Sequence, residues 1–450
     1  MYQYIIVFVL EKYTIEGGTA SEIAAGVEAA VSEGRLPPGA TLPPVREVAA
    51  LAGVSPGTAA AAYRLLRERG VIETAGRRGT RVRSRPASTF REEIRVEVPP
   101  GVRDLSKGNP DPRLLPPLHE ALAVAARAHE ERPAMYGTGD DEELLALAGR
   151  RLRTDGVPAA PLAITSGTLD AVERVLTAHL RPGDAIAVED PGWTALLDLV
   201  AVLGLRPVPM RLDDEGPLPE QLDRALRAGA RAVVMTARAQ NPTGAAVSAA
   251  RAGELRELLA AHPEVLLVED DHGAGFVELP LHPLAGATTR WIHVRSTAKS
   301  LGPDLRLAPV TGDPVTLERL RGRQRLAAGW VSHLLQHAVA HLWRTNAADP
   351  ATVAASYAAR RNGLVTALAE RGVRAYGRTG LNVWIPVADE STAITRLLAR
   401  GWACAPGARN RIGSPPALRL TVSSLDLPEI EPLAADLAAA LTPAPIGRYG

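Results

Sequence analysis

Apolar positions recur at a helical interval soon after the start of the chain. Between about residues 19 and 35, Ile23, Val27 and Val31 fall on one face of a predicted helix. The run LPPGATLPP then interrupts this periodicity, because proline and glycine break helices. The pattern therefore predicts one amphipathic helix followed by a break.

The segment that follows predicts two more helices and a hairpin. A short helix begins at Val45, a turn covers Gly53 to Gly57, and a second helix extends to about Arg69. Two short strands flank residues 76–79. This order is typical of a helix-turn-helix followed by a wing.

A polar, proline-broken stretch at 85–103 predicts a linker, and the pattern of the chain changes beyond it. Between about 160 and 312, short apolar runs alternate with helical stretches rich in alanine, leucine and arginine. The runs are LAIT, AIAVE, AVVMTA, VLLVED, WIHV and LAPVTG. Such alternation indicates a doubly wound, mostly parallel sheet. From about 350, long helices separated by LNVWIPV and LRLTV predict an α+β region.

These patterns predict a multidomain protein. An N-terminal winged helix-turn-helix domain is expected at 15–84, and the linker joins it to an α/β domain at 104–445. Within the second domain, a large subdomain is expected at about 135–340 and a small one at about 350–445. Ligands of doubly wound sheets bind at the carboxyl ends of the strands, so the chemistry is expected there.

Composition excludes several classes of protein. The chain has 450 residues, 46% hydrophobic and 22% charged, which is close to a globular protein and unlike a disordered or collagen-like chain. Its one cysteine, Cys404, supports neither a disulfide framework nor a cysteine-rich zinc site, which suits a reducing cytoplasm, and we predict no metal site. The opening run MYQYIIVFVL follows no basic segment and precedes Glu11 and Lys12, so neither a signal peptide nor a membrane span fits. We interpret it as an extra strand or as a wrongly chosen upstream start codon.

Positive charge is concentrated in one part of the chain. The formal net charge is only +1, yet eight arginines between residues 64 and 85 face only Glu68 and Glu73, a local excess of six. The arginines are Arg64, Arg67, Arg69, Arg77, Arg78, Arg81, Arg83 and Arg85. Charge alone is equally compatible with a solvated face. On a helix-turn-helix with a wing, it predicts binding to the phosphates of double-stranded DNA.

Lysine is so rare here that each one is informative. Lys12, Lys107 and Lys299 are the only three, so arginine carries nearly all of the positive charge. Lysine is needed where a primary amine must lose its proton and attack a carbonyl. Lys12 lies near the apolar start and Lys107 in a Gly/Pro loop typical of a solvated surface, whereas Lys299 follows a predicted strand.

Chemically distinctive residues follow the predicted strands. The first strand ends in a Ser-Gly-Thr turn that opens a helix, where N–H groups can hold a phosphate, although this turn alone is a weak signal. Trp193, Asn241 and Asp270 follow or end the next three strands, and Lys299 follows the fifth. They supply an aromatic ring for stacking, an amide for a phenolic oxygen, an acid for a ring nitrogen and an amine for an aldehyde. This inventory matches pyridoxal phosphate, whereas the motifs of nicotinamide and nucleoside triphosphate sites are missing.

Several motifs carry a family resemblance. VEDDHGAGF, RAQNPTG, EDPGW and STAKSLGPDLRLA resemble the signature of fold-type I aminotransferases, and LPPVREVAALAGVSPGTAAAAYRLL resembles a GntR-type winged helix. In tandem, from about residue 15 to 445, they resemble the MocR subfamily of GntR-type bacterial transcription regulators, in which an aminotransferase-like domain serves as an effector sensor. The resemblance implies a fold-type I domain that binds pyridoxal 5'-phosphate. It also implies a head-to-tail homodimer in the cytoplasm, associated with the nucleoid.

The resemblance assigns roles to individual residues. Lys299 would hold the cofactor as an internal aldimine, and Asp270 would pair with its pyridine nitrogen. Arg419, in PALRLTV, would grip the carboxylate of an amino acid. The other implied cofactor contacts are Trp193 on the ring, Asn241 and His272 at the phenolic oxygen, Gly167, Thr168, Ser296 and Arg306 at the phosphate, and Tyr136 at the phosphate of the neighbouring subunit. His272 stands where these families usually have a tyrosine.

The resemblance also implies contacts with promoter DNA. The recognition helix opens with a short polar turn, and the wing tip is basic. The implied DNA contacts are Arg46 before the first motif helix, Ser55, Gly57, Thr58 and Arg64 at the recognition helix, and Arg77, Arg78 and Gly79 in the wing.

Two functions of different classes stay open. In the first, the chain is a DNA-binding regulator that senses an amino acid or amine effector through aldimine exchange at Lys299. In the second, it is an active aminotransferase that carries an accessory DNA-binding domain, since the groups for transamination are present. We favour the regulator because an enzyme has no need of a basic winged helix.

Overall fold

The computed structural model describes residues 18–32, 35–37, 39–68, 71–74, 79–82, 96–158 and 160–442. The chain divides into two compact units: an N-terminal one, which contains the first 93 residues together with 181–184 and 198–206, and a larger one, which contains the rest. Among the helices described, none combines the length and the apolar character that a membrane span requires.

The N-terminal unit consists of helices and a small antiparallel sheet. Its strands pair in the order β1-β3-β2, and both pairs are antiparallel. The predicted order of helices and hairpin is therefore confirmed. The elements are α1 (Ala20–Ser32), β1 (Thr41–Leu42), α2 (Val45–Leu51), α3 (Pro56–Glu68), β2 (Ile72–Thr74) and β3 (Thr80–Val82).

One apolar core joins these elements. Ile23 and Val27 of α1 are buried, as the helical spacing predicts, and they share a cluster with Val48 of α2 and Leu66 of α3. Gly53 makes the turn between α2 and α3 at φ +63°, a left-handed conformation that glycine adopts without steric cost. The turn sets α3 against the other two helices.

The larger unit is built around a seven-stranded sheet. Its strands are β5 (Leu162–Thr165), β6 (Ala185–Glu189), β7 (Arg206–Met210), β10 (Ala230–Thr236), β11 (Leu266–Asp271), β12 (Arg290–Arg295) and β13 (Ala308–Gly312), in the order β5-β13-β12-β11-β10-β6-β7. The pairs from β6 through β12 are parallel, and β13 runs antiparallel to both β12 and β5. The prediction of a mostly parallel sheet is confirmed, with β13 as the exception.

Helices and a short hairpin connect the strands of this sheet. The hairpin consists of β8 (Leu212–Asp213) and β9 (Gly216–Pro217). Side-chain caps define several helix starts, because the first N–H groups of a helix have no partner inside it. The helices are α4 (His119–Glu131), α5 (Glu142–Thr154), α6 (Thr168–His179), α7 (Thr194–Val202), α8 (Pro219–Arg227), α9 (Ala249–Ala260), α10 (Pro314–Arg325) and α11 (His333–Arg344).

The C-terminal part forms an α+β subdomain, as predicted. Its antiparallel sheet has the order β14-β17-β16, with β4 and β15 as a separate parallel pair. The residues that open the larger unit therefore belong to this subdomain. The elements are β4 (Arg103–Asp104), α12 (Pro350–Glu370), β14 (Asn382–Pro386), α13 (Glu390–Leu398), β15 (Trp402–Ala403), β16 (Ala405–Pro406), β17 (Ala417–Thr421) and α14 (Ile430–Leu441).

Candidate cofactor and DNA-binding sites

Most of the candidate cofactor residues follow, or lie at the end of, strands that end at one edge of the large sheet. β5, β6, β10, β11 and β12 share one direction, so their carboxyl ends meet there. Turns distant in the sequence are thereby brought together. The residues concerned are Gly167, Trp193, Asn241, Asp270 and Lys299.

Lys299 is held by the segment that leads into the larger unit. Its Nζ donates a hydrogen bond to the Gly108 carbonyl. Burial, together with the positive charge of Arg419, lowers the pKa of Lys299 to about 8. A larger fraction of this amine is therefore neutral near pH 7 than for a surface lysine, and the neutral amine is the form that attacks carbonyl carbons.

Arg419 is buried on β17 and reaches the same segment. Its Nη2 donates to the Ser106 carbonyl at 2.7 Å and its Nη1 to Asn241 Oδ1 at 3.2 Å. Asn382 Nδ2 donates to the same oxygen at 3.4 Å. These two donors orient the Asn241 amide, so its nitrogen is the atom that can donate to a phenolic oxygen.

Asp270 has a buried carboxylate that fits the ring nitrogen of the cofactor. Its side chain is buried, and Oδ1 has no hydrogen-bond partner among the described residues. The other oxygen, Oδ2, lies 3.6 Å from His272 Nδ1. A buried carboxylate oxygen without a donor costs free energy. The protonated ring nitrogen of pyridoxal phosphate is a donor of the kind that this oxygen lacks.

A candidate site for the cofactor's phosphate lies at the N-terminus of α6. Thr168 Oγ1 is buried without a partner in the described part of the chain, and Gly167 precedes it at φ +90°. A Cβ atom on Gly167 would approach Arg306 Nη2 to 3.3 Å, so a side chain there would crowd the guanidinium. Arg306 Nη2 donates to the Ser166 carbonyl at 3.3 Å. Helix N–H groups, a hydroxyl and a guanidinium suit a phosphate.

The remaining candidates are less closely associated. Trp193 is half-buried after a cis Asp190–Pro191 bond, and Ser296 Oγ accepts from the Ala298 N–H at 3.3 Å. Tyr136 differs most, because its side chain is 95% exposed and its ring contacts Trp330 edge-on at 5.6 Å. Within one chain, Tyr136 is therefore not part of the buried group.

Two buried acidic residues near the site are not among those that the sequence predicts. Glu189 is fully buried and accepts from the Thr236 N–H and hydroxyl and from Gln240 Nε2, yet burial raises its pKa to about 7. Asp190 accepts from the N–H groups of the loop 412–414 at 2.8 to 2.9 Å. The motif EDPGW contains both residues, but it gives no sign that their partners lie so far along the chain.

The candidate DNA-contacting residues that the structure describes lie at the start of α3 and around this helix. Ser55 Oγ accepts from the Thr58 N–H at 3.1 Å, which caps α3. Thr58 itself is half-buried. Arg77 and Arg78 lie outside the described residues. The exposed candidates are Arg46, Ser55, Gly57, Arg64 and Gly79. Arg46 lies inside α2, which begins at Val45, so its expected position before the first motif helix is wrong.

Comparison with known proteins assigns a family to each unit. The model for aminotransferase class I and II matches residues 101–437, and the model for bacterial regulatory proteins of the gntR family matches residues 19–82. The vitamin B6 salvage pathway transcriptional repressor PtsJ of Salmonella typhimurium is 41% identical over 437 residues, covering 95% of this chain and 99% of that protein. The HTH-type pyridoxine biosynthesis transcriptional regulator PdxR of Corynebacterium glutamicum is 29% identical over 328 residues, 69% of each chain.

A solved structure shares the fold of the larger unit. LysN, an α-aminoadipate aminotransferase of Thermus thermophilus complexed with N-(5'-phosphopyridoxyl)-L-leucine, matches with a TM-score of 0.67 at 24% identity, covering 76% of this chain and 92% of that chain. The predicted fold and the predicted cofactor, pyridoxal phosphate, are both confirmed. The chain therefore belongs to the aminotransferase class I and II family through its larger unit and to the gntR family through its N-terminal unit, the combination found in MocR-type transcription regulators.

Proposed function

We propose that this regulator senses an amino acid or amine effector at Lys299 and holds the effector's carboxylate with Arg419. The observation that supports the proposal is that both side chains donate hydrogen bonds to the backbone of one short segment. Lys299 donates to the Gly108 carbonyl and Arg419 to the Ser106 carbonyl, two residues apart. A covalent partner of the Lys299 amine would therefore compete with the first hydrogen bond, and a carboxylate bound by Arg419 would compete with the second.

Pyridoxal phosphate supplies an aldehyde carbon that an amine can attack and a ring that withdraws electrons. The protein supplies the rest of the site. Lys299 offers an amine that is easily deprotonated, Asp270 holds a proton on the ring nitrogen, and Asn241 orients the phenolic oxygen. The proposed phosphate contacts are Gly167, Thr168, Ser296 and Arg306, with Trp193 on the ring and His272 beside Asp270.

Arg419 suits an amino acid carboxylate in particular. Its planar guanidinium can form two parallel hydrogen bonds to a carboxylate, which lysine cannot do. Its Nη1 lies 3.2 Å from Asn241 Oδ1. The effector's carboxylate and the cofactor's phenolic oxygen would therefore be bound by two neighbouring side chains, Arg419 and Asn241. An amine without a carboxylate would forgo the contact with Arg419.

We further propose that the protein acts as a head-to-tail homodimer on promoter DNA of the nucleoid. Tyr136 supports this arrangement, because a tyrosine 95% exposed on one chain is available to a neighbouring chain. The edge-on contact with Trp330 holds its ring in place. On the DNA side, we propose that the capped start of α3 enters the major groove while Arg46 and Arg64 contact phosphates.

A second candidate function concerns the signal itself. The relative from Salmonella typhimurium that shares 41% identity is named a repressor of vitamin B6 salvage. If this chain has the same role, pyridoxal phosphate is the effector as well as the cofactor, and genes that recover vitamin B6 are the target.

One experiment separates these functions. Affinity for the intergenic DNA upstream of the gene is measured by fluorescence anisotropy without ligand, with pyridoxal phosphate, and with the cofactor plus a panel of amino acids and amines. Visible spectra and keto acid release are followed in parallel. The proposal expects one amino compound to change both the spectrum and the DNA affinity, without keto acid in excess over protein.

The other outcomes are equally informative. A change with pyridoxal phosphate alone, and indifference to every amino compound, supports the vitamin B6 function instead. Keto acid accumulating over many turnovers, with DNA affinity unchanged by any ligand, identifies an aminotransferase. Lys299→Ala is expected to lose the cofactor's visible absorbance, whereas Lys107→Ala is a matched control because the Lys107 side chain is 73% exposed.

A further inference from the structure

A cavity of about 330 Å³ lies beside the last turn of α5, next to the residues that flank Lys299. Its lining is strongly basic, since four arginines and one carboxylate, Asp155, face it. The arginines are Arg150, Arg151, Arg238 and Arg295. Arg238 belongs to the motif RAQNPTG, but the proposed effector site uses none of the four arginines.

Two of the four arginines are tied to a buried carboxylate. Asp271 is fully buried, and Arg238 forms a fork with it, Nε to Oδ1 at 3.1 Å and Nη2 to Oδ2 at 2.9 Å. Arg295 donates to Oδ2 through Nε at 3.2 Å and Nη2 at 3.0 Å. Burial would raise the pKa of Asp271, but Arg238 and Arg295 outweigh it and lower the pKa to about 2. Asp271 therefore stays ionised, and its negative charge balances the positive charge of one of these two arginines.

The charges around the cavity do not cancel. Arg295 Nη1 also lies 2.7 Å from Asp155 Oδ2, which supplies a second negative charge. Four guanidinium groups thus face two carboxylates, an excess of two positive charges. Burial and then repulsion from Arg295 lower the pKa of Arg151.

Arg151 is held in place at the wall of the cavity. Its Nη2 donates to the Trp343 carbonyl at 3.0 Å and to Asn346 Oδ1 at 3.3 Å, and its guanidinium carbon lies 5.1 Å from the centre of the Trp343 ring. A guanidinium fixed in this way loses little entropy when it binds an anion. The lining also contains the hydroxyls of Thr154, Ser296 and Ser300, of which Thr154 and Ser300 already donate to the Arg150 and Thr297 carbonyls.

We propose that this cavity binds a small phosphate dianion, either inorganic phosphate or the phosphate group of an ester. A dianion matches the excess of two charges, and planar guanidinium groups bind phosphate oxygens through paired hydrogen bonds. Ser296 is shared with the cofactor's proposed phosphate contacts, whereas Gly167, Thr168 and Arg306 do not line the cavity and its arginines are not among those contacts.

The site is placed to influence the cofactor pocket. Ser296 and Ser300 line the cavity and flank Lys299 along the chain, while the arginine partner Asp271 follows Asp270 directly. An anion held here changes the field at both chemical groups. The inference does not depend on which effector the regulator senses.

Isothermal titration calorimetry on the full chain tests the proposal. The protein is first saturated with pyridoxal phosphate, so that the cofactor's own phosphate site is filled. Inorganic phosphate and glycerol phosphate are then titrated separately, at constant ionic strength with chloride as the background anion. We expect saturable binding of one or both at one anion per chain, and the tighter ligand identifies a free phosphate or an ester as the source.

Variants on one helix provide the matched comparison. Arg150→Ala with Arg151→Ala is expected to weaken binding about tenfold or more, since it removes two charged donors. Arg153→Ala, on the same helix but not in the lining, is expected to leave the affinity unchanged. Arg150→Glu alone keeps the test decisive if the double variant folds poorly, because Arg150 is exposed. No saturable binding by the natural chain, or equal affinity in all variants, overturns the proposal.

Discussion

Asp270 and His272 form a one-sided pair: Asp270 Oδ2 lies 3.6 Å from His272 Nδ1, while Asp270 Oδ1 meets no donor among the described residues. One oxygen of this buried carboxylate therefore has no donor in the described part of the chain, and the other lies beyond hydrogen-bond distance of His272. Such a group destabilises the protein that holds it and favours any ligand that brings a donor.

Replacing Asp270 is therefore expected to have effects of opposite sign with and without cofactor. Asp270→Asn should raise or preserve the melting temperature of the cofactor-free protein, because it removes a buried charge. It should weaken pyridoxal phosphate about tenfold or more, because the partner of the ring nitrogen is lost. Calorimetric melting and a fluorescence titration measure the two effects. A variant less stable without cofactor would show that Asp270 serves the fold instead.

The pKa of Lys299 predicts how stability depends on pH. Burial lowers this pKa from its ordinary value of 10.5 to about 8, so between these values the unfolded chain keeps a proton that the folded chain has lost. Stability should rise with pH across that window, by roughly 1.4 kcal/mol per unit. The comparison is urea unfolding of the cofactor-free natural chain and of Lys299→Met at several pH values from 7 upward.

Lys299→Met carries no titrating amine at this position. It should be the more stable of the two near pH 7, with the difference narrowing between about 8 and 10.5. Parallel pH profiles for the two proteins would contradict the lowered pKa.

Arg419 is predicted to determine affinity for a carboxylate-bearing effector. Arg419→Lys should raise the dissociation constant about tenfold or more while cofactor content stays constant, since lysine keeps the charge but cannot form the bidentate contact. Arg374, which is exposed on the same subdomain, provides the control substitution to lysine. Equal effector affinity in both variants would mean that the carboxylate is held elsewhere.

The basic face of the N-terminal unit is predicted to bind phosphates. Arg46→Ala with Arg64→Ala should weaken DNA binding and reduce the slope of log affinity against log salt by about 2, close to one unit for each lost phosphate contact. Arg127→Ala, exposed on the larger unit, is the control. An unchanged slope in the double variant would remove these two arginines from the interface.

Local patterns in the sequence are enough to predict the elements and the residues at their ends. Apolar periodicity predicts α1 and the buried strands, and a turn after each parallel strand leads to one edge of the sheet, which is why Asp270 and Lys299 can be selected. Strand β13 cannot be oriented in this way, because an apolar run is the same whether it pairs parallel or antiparallel.

Long-range pairing is what the sequence hides. Arg238 and Arg295 look like ordinary cations in an arginine-rich chain, and only the folded sheet brings both to Asp271. Asp190 likewise meets the loop 412–414 more than 200 positions away. No local signal encodes such partners, because each side of the contact is chemically unremarkable alone.

The hydrogen bonds to the Ser106 and Gly108 carbonyls link the proposed ligand site to the position of the segment 106–108. These carbonyls follow β4, the first strand of the larger unit, which continues the chain from the DNA-binding unit. A ligand that binds Lys299 and Arg419 removes the donors of these two carbonyls. Either the ligand supplies new donors to the carbonyls, or the segment moves. Under the proposed function, these two bonds and the contacts that replace them contribute to the free energy that links ligand binding to the position of this segment.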